Sequence, residues 1–385
     1  MKIRGLIPVF FATLSAISAC ERRSAAPQST TGEIVVGMYG SLTGDGASFG
    51  QSSVEGAQLA VEEINAAGGV LGGRKIRLLV EDDQSRPEEA SSAVTKLITQ
   101  DKVVAVLGEV ASRRTLAAAP VAQKYQIPLI TPASTNERVT QVGDYIFRVC
   151  FIDPFQGEVL AKFAYNDLKA RKVAVLKDIS QDYSVGLTDS IQKTFTGLGG
   201  KVLDPVSYST GDADFRAILT QVRAQKPDAI FAPGYYPEAA IIVRQARELG
   251  MTIPILGGDG WVGDALKNGR EALKNTFISN HYSGENPDPV VQNFRKAYRA
   301  KFNREPDSIA ALGYDAAKVL ADSITRAGNT EGPKLRDAIA AADVKGVTGQ
   351  LKMNADRNVI KPAVIEEVQF VSGDVKYAYK ATINP

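Results

Sequence analysis

From Glu33 onward, short apolar runs rich in β-branched residues alternate with longer amphipathic segments. EIVVGMYG (33–40) is followed by a helical pattern over about 51–67, RKIRLLVEDD (74–83) by one over 87–100, and VVAVLG (103–108) by one over 112–125. After a change of register near Asp153 the pattern restarts, with strands expected at KVAVLKD (172–178), KVLDPVSY (201–208), DAIFAPG (228–234) and IPILGGD (253–259). In the segment before the last of these, Ala239, Ile242, Val243, Ala246 and Leu249 recur at helical spacing. Such alternation predicts an α/β fold with two doubly wound lobes, each a parallel sheet wrapped by helices on both faces. The tail departs from it: 287–341 reads as three consecutive helices and 347–380 as several strands with a turn at Gly373-Asp374. Helices without strands, then strands without helices, predict that the chain returns to complete lobes already built, so that each lobe is discontinuous.

Ligands of open α/β sheets bind beyond the carboxyl ends of the strands. The loops there are 40–50, 108–115, 131–136, 178–186, 234–238 and 257–263. GSLTGDGASFG (40–50) lacks the last glycine of a dinucleotide loop, where Phe49 stands, and has no Gly-Lys-Ser/Thr triplet. It reads instead as a turn whose tip, Phe49, faces a cleft. Ser112 opens a helix and Thr135 lies in the loop after the strand IPLI; hydroxyls and unpaired N–H groups there suit a carboxylate, or Ser112 is a plain helix cap. Arg113 and Arg114, on the first helical turn, are expected in solvent. Asp259, bracketed by glycines, suits an ammonium group or an Asx-turn, and Trp261 beside it can cover a core edge. Tyr183 and Tyr235 sit at helix starts where a phenol can cover a ligand; of the neighbours Tyr235 and Tyr236, one is expected to face inward. His281 has no triad setting and reads as a surface or hinge histidine. Cys150, in YIFRVCF, reads as a buried small hydrophobe.

Composition narrows the chemistry. Lys and Arg number 45 against 43 Asp and Glu, a formal charge of +2, which leaves no electrostatic footprint for nucleic acid. One His and two Cys cannot furnish a four-ligand zinc site. No catalytic residue, metal or cofactor is expected. Residues 1–19 carry Lys2 and Arg4, a short apolar run and small residues, the pattern of an export signal too short for the roughly 20 residues of a bilayer span. Ile17-Ser18-Ala19-Cys20 resembles a bacterial lipobox, which implies lipid attachment at Cys20 followed by a flexible tether over 20–32. With Cys20 so used, Cys150 has no disulfide partner. The protein is then expected in the periplasm or on the cell surface, joined to a bacterial membrane only through that anchor.

INAAGGVLGGRKI (64–76), DDQSRPEEA (82–90), GEVASRRTLAAAPVAQ (108–123), IPLITPAST (127–135) and GYYPEAAIIVRQAR (234–247) together resemble the leucine/isoleucine/valine-binding proteins of ABC transporters, which have the type I periplasmic-binding-protein fold. The resemblance implies crossovers near Asp153, Ser283 and Thr348, giving one lobe from 33–153 plus 284–348 and another from 154–283 plus 349–385. It implies that Ser112 binds a ligand carboxylate, and that the segment Ala133, Ser134 and Thr135 holds carboxylate and ammonium. It places Tyr183 and Tyr235 over the ligand, Asp259 on the ammonium, and Phe49 and Trp261 at the side-chain pocket. Three positions depart from the family: Asp259 stands where a Glu is usual, Trp261 is bulky, and Ala111 replaces one of a pair of cysteines. The implied function is that of a monomeric, non-enzymatic carrier that delivers an apolar or branched-chain-type α-amino acid to an ABC permease with its ATPases. The alternatives are the same fold binding an aromatic acid, amide or urea, or serving as an extracytoplasmic sensor domain. An oxidoreductase is disfavoured by the broken glycine pattern and the export signal.

Overall fold

A computed structural model describes residues 1–2 and 32–385 of the chain. Cys20, with nearly all of the expected signal and tether, lies outside the described residues. The first sheet contains β1 (Ile34–Gly40), β2 (Ile76–Asp82), β3 (Val106–Leu107), β4 (Leu129–Thr131) and β5 (Ile146–Arg148), all parallel in the order β2-β1-β3-β4-β5. Its helices are α1 (Ala47–Ala66), α2 (Pro87–Thr99), α3 (Ser112–Tyr125) and the short α4 (Arg138–Gln141). Strand periodicity divides the packing. Val36 and Met38 of β1 join Ala57 of α1 in one core, while Tyr39 joins Val94 and Leu97 of α2 and Ala118 of α3 in another.

The second sheet is built from β6 (Lys172–Asp178), β7 (Lys201–Val202), β8 (Val206–Tyr208), β9 (Ala229–Phe231), β10 (Ile255–Gly257) and β11 (Thr276–Asn280). α5 (Asp153–Asn166), α6 (Asp182–Gly197), α7 (Arg216–Ala224) and α8 (Tyr236–Glu248) alternate with these strands. Along β6, Val173 and Val175 pack with Leu187 of α6, and Ala174 and Leu176 with Val243 of α8, so this sheet too is buried on both faces. The single strand expected over 201–208 is two short ones, both paired with β6. Pro205 lies in the break and has no N–H to give to a ladder.

The three helices expected in the tail are α9 (Pro289–Phe302), α10 (Ser308–Ala327) and α11 (Gly332–Ala340). α10 lies directly on α1: a Cβ on Gly56 would come 1.9 Å from Ala310 O, and one on Gly313 would come 2.2 Å from Ser53 O. Only glycines allow that approach. A hairpin of β12 (Asp343–Gly346) and β13 (Gly349–Lys352) follows, and then β14 (Ala363–Val371), antiparallel to β11, and β15 (Asp374–Ile383), antiparallel to β14, extend the second sheet. The β14–β15 turn uses Ser372 and Gly373, both at positive φ, as a two-residue hairpin requires.

The chain thus passes between the sheets three times. Residues 354–358 still rest on the first lobe, since Arg148 N–H donates to Arg357 O at 3.2 Å and Arg357 Nη2 to Thr140 O at 2.7 Å. We therefore propose the last lobe boundary near Ile360, some residues beyond the expected Thr348. Among the described residues no helix is long and apolar enough to cross a membrane.

Candidate functional site

α3 begins without a capping side chain. Ala111 occupies the N-cap, a position where Ser, Thr, Asp or Asn would satisfy an orphan donor. Glu109 takes the Ala111 N–H, and Ala111 O takes those of Arg114 and Thr115. The N–H groups of Ser112 and Arg113 make no hydrogen bond among the described residues. Ser112 Oγ accepts the Asn136 N–H at 3.2 Å, which leaves its O–H to donate. The N–H groups of Ala133 and Thr135 are likewise free, and Thr135 Oγ1 is buried without a partner. Free donors at a helix N-terminus form a half-site for an anion.

A buried ionic cluster lies against the start of that helix. Arg114 is buried, not in solvent as its first-turn position suggests, with Nε 3.0 Å from Glu109 Oε2 and 3.9 Å from Asp83 Oδ2. Ser41 Oγ donates to Asp83 Oδ1 at 2.8 Å. Burial, with the Glu109 charge beside it, pushes the Asp83 carboxyl up to about 7.

The second lobe supplies the facing wall. Tyr183, in the first turn of α6, and Tyr235, just before α8, stack with ring centroids 5.2 Å apart and planes at 6°. Burial raises both phenols well above their ordinary range. Phe49 meets Tyr235 and Tyr236 edge-on at 5.4 and 4.8 Å. Phe49 is not on a loop tip: α1 starts four residues earlier than its apolar period indicates and carries Phe49 in its first turn. Both tyrosines of the 235–236 pair face the first lobe, because Tyr236 Oη donates to Asp45 O at 2.6 Å and accepts the Ser48 N–H at 3.3 Å. Asn136 Nδ2 to Asp182 O, at 2.8 Å, and Arg138 to Asp182, at 2.9 Å, join the lobes on the other side.

Asp259 lies between the lobes, where Gly258 lets Tyr183 approach: a Cβ there would fall 2.2 Å from Tyr183 Oη. Its Oδ1 accepts from Gln156 Nε2 at 2.7 Å, and its Oδ2 lies 2.9 Å from His281 Nε2. His281, expected at the surface or a hinge, is buried where the chain leaves the second sheet, and burial pushes its imidazole down to about 4. Asp153, at the start of α5, is also buried; desolvation first, and the nearby Asp259 charge, raise its carboxyl far above the ordinary range.

These parts close around a space of only about 10 Å³, walled by Phe49, Val110, Ser112, Ala133, Tyr183, Tyr235, Asp259, Gly260 and Ile309. Six of the residues singled out in the sequence meet there. Thr135 is not on the wall, although its hydroxyl is free. Ser134 is not on the wall either, its Oγ being engaged by Thr115 Oγ1 at 2.7 Å and Glu109 O at 2.9 Å. Trp261 is fully buried in the second lobe, where Nε1 donates to Ala232 O at 3.0 Å, so it supports the wall from behind and does not shape the pocket. Two larger hollows flank the interlobe passage at 281–288, and neither includes Ser112, Tyr183, Tyr235 or Asp259 in its wall. Val110, Ile309 and Gln156 were not read from the sequence, and His281 was read only as a surface or hinge histidine. Each reaches the site through tertiary packing, with no local signal. Among the described residues no cluster of His, Cys, Asp and Glu has the geometry to hold a metal ion.

The family described as periplasmic binding protein matches residues 33–373. An amino acid binding protein of Pseudomonas aeruginosa is 35% identical over 325 residues, 83% of this chain and 85% of that protein. Among solved structures, a leucine binding protein, LivK, from Thermotoga maritima superposes with a TM-score of 0.86 at 41% identity, covering 91% of this chain and 99% of that one. The branched-chain amino acid transporter substrate binding protein LivJ from Streptococcus pneumoniae, in complex with isoleucine, gives 0.85 at 36% identity over the same shares.

Proposed function

The chain belongs to the periplasmic-binding-protein family, and from that premise we propose that it captures an apolar, branched-chain-type α-amino acid between its lobes and delivers it to an ABC permease with its ATPases. The observation that carries this reading is the opposition of charge preferences across one small enclosure. Unpaired N–H groups at Ser112 and Ala133, with the Ser112 hydroxyl, suit a carboxylate, and Asp259 suits an ammonium. Between them Phe49, Val110, Tyr235 and Ile309 offer only apolar or aromatic surface to a side chain. The half-sites come from different lobes, so a zwitterion that spans them favours the closed arrangement by its differential affinity for it. No bond is broken, and neither a catalytic group nor a cofactor enters. The protein acts outside the cytoplasm, held to a bacterial membrane through Cys20.

An aromatic acid or a urea would leave Asp259 facing the ligand with no cation, a desolvated acceptor left unpaired. A thermal-shift screen of ligand-stripped protein separates the readings, because a ligand at about 100 times its Kd stabilises the native state by about 2.7 kcal/mol. Leucine, isoleucine or valine should raise the melting temperature by several degrees while benzoate, urea and simple amides leave it unchanged. A selective shift with an aromatic acid or amide, and none with any amino acid, would refute the amino-acid reading.

A further inference from the structure

Asp259 does not stand free at the cleft. One hydrogen bond fixes each of its oxygens from behind, Gln156 Nε2 on Oδ1 at 2.7 Å and His281 Nε2 on Oδ2 at 2.9 Å. Both backing residues adjoin passages between the lobes: His281 directly follows β11, where the chain leaves the second sheet, and Gln156 is in the first turn of α5, where it enters. The imidazole stacks on Phe151, which lies in the first passage, with centroids 3.6 Å apart and planes at 25°. Its side chain has no exposed surface, and Nδ1 is buried without a partner among the described residues.

That geometry selects one protonation state. The carboxylate oxygen can only accept, so Nε2 carries the proton. A second N–H at Nδ1 would be a buried donor with nothing to bond, which is costly, so the ring is a neutral Nε2–H tautomer. The charged groups that face it are Asp259 and Lys361, and the buried ammonium of Lys361 also disfavours an imidazolium.

We propose that His281 is a positioning residue: its Nε2–H, with that of Gln156, holds the Asp259 carboxylate facing the cleft and ties ammonium recognition to the segments about which the lobes close. This rests on Asp259 as the ammonium partner, although the fixation itself can be read without any ligand. His281 is the only histidine of the chain, so imidazole ¹⁵N NMR of the whole protein reports on it alone. The expected spectrum shows one neutral Nε2–H tautomer with a slowly exchanging, hydrogen-bonded proton and no titration above about pH 5; burial sets the ring's pKa at about 4. An Nδ1–H tautomer, or free titration near the ordinary value of about 6.5, overturns the proposal.

Calorimetry with L-leucine supplies the second arm. His281→Leu should weaken binding about 10-fold and His281→Gln, which keeps a donor, by less than about 3-fold. In an Asp259→Asn background, His281→Leu should add less than about 2-fold, because the two residues act as a unit. An equal loss in both backgrounds would mark a merely structural role and overturn the proposal. If leucine fails to bind the unaltered protein, the failure belongs to the assigned ligand, and the NMR result still decides whether His281 fixes Asp259.

Discussion

Replacing Asp259 by Asn should weaken L-leucine binding by about 10- to 150-fold, the factor that corresponds to losing a charge-assisted hydrogen bond worth about 1.5–3 kcal/mol in a desolvated site. The amide keeps the volume but offers one acceptor where two are used, so Gln156 must flip its amide or His281 change tautomer to stay paired. Asp259→Ala would strip the partner from both Gln156 and His281 and confound binding with stability. Calorimetry on ligand-stripped protein, with melting temperatures measured in parallel, checks the result. Unchanged affinity for the amino acid would remove Asp259 from the ammonium role.

The largest effect on stability is expected at Glu109, which no ligand need touch. Its carboxylate accepts from Ser41 Oγ at 3.2 Å and Ser41 N–H at 3.3 Å, takes the Ala111 N–H, and pairs with Arg114 at 3.0 Å. Glu109→Ala leaves a buried guanidinium with only Asp83, 3.9 Å away, as a counter-charge. Breaking a buried pair from one side costs about 3–5 kcal/mol. Asp83 offsets part of this, because losing the Glu109 charge lets its carboxyl, otherwise pushed up to about 7, ionise more readily. Urea unfolding should therefore show a loss of about 3 kcal/mol, and a loss below about 1 kcal/mol would mean that the cluster is not the support of the α3 N-terminus described above. Since the same carboxylate orients Ala111, affinity should fall alongside stability.

Much of this was legible because doubly wound sheets have a period. Buried strands flanked by helical spacing gave β1, β2, β3, β6, β9 and β10, and the loops beyond the carboxyl ends of β3, β6, β9 and β10 contained Ser112, Tyr183, Tyr235 and Asp259. β11 was not read, because TFISN is a five-residue buried run with no glycine or proline at its edges to mark it. The start of α1 was read late because Ala47-Ser48-Phe49-Gly50 carries no cap signal. Arg114 was misplaced for an electrostatic reason: a cation on the first turn opposes the helix dipole, so solvent is the natural expectation until Glu109 and Asp83 are seen beneath it. Gln156 and His281 stand 103 and 22 positions from Asp259, and no local pattern joins them. Trp261 shows the converse. Its neighbour at 259 is on the wall, but a short turn sends the indole back into the core toward Ala232.

The central claim is that one enclosure reads both ends of an α-amino acid. Isothermal titration of ligand-stripped protein with L-leucine and with 4-methylpentanoate, which keeps the carboxylate and branched chain but has no amine, tests it most directly. L-leucine should bind at one site per chain, and 4-methylpentanoate at least about 10-fold more weakly, the cost of leaving Asp259 unpaired. Equal affinities for the two, or binding of the amine-free acid alone, would contradict the account.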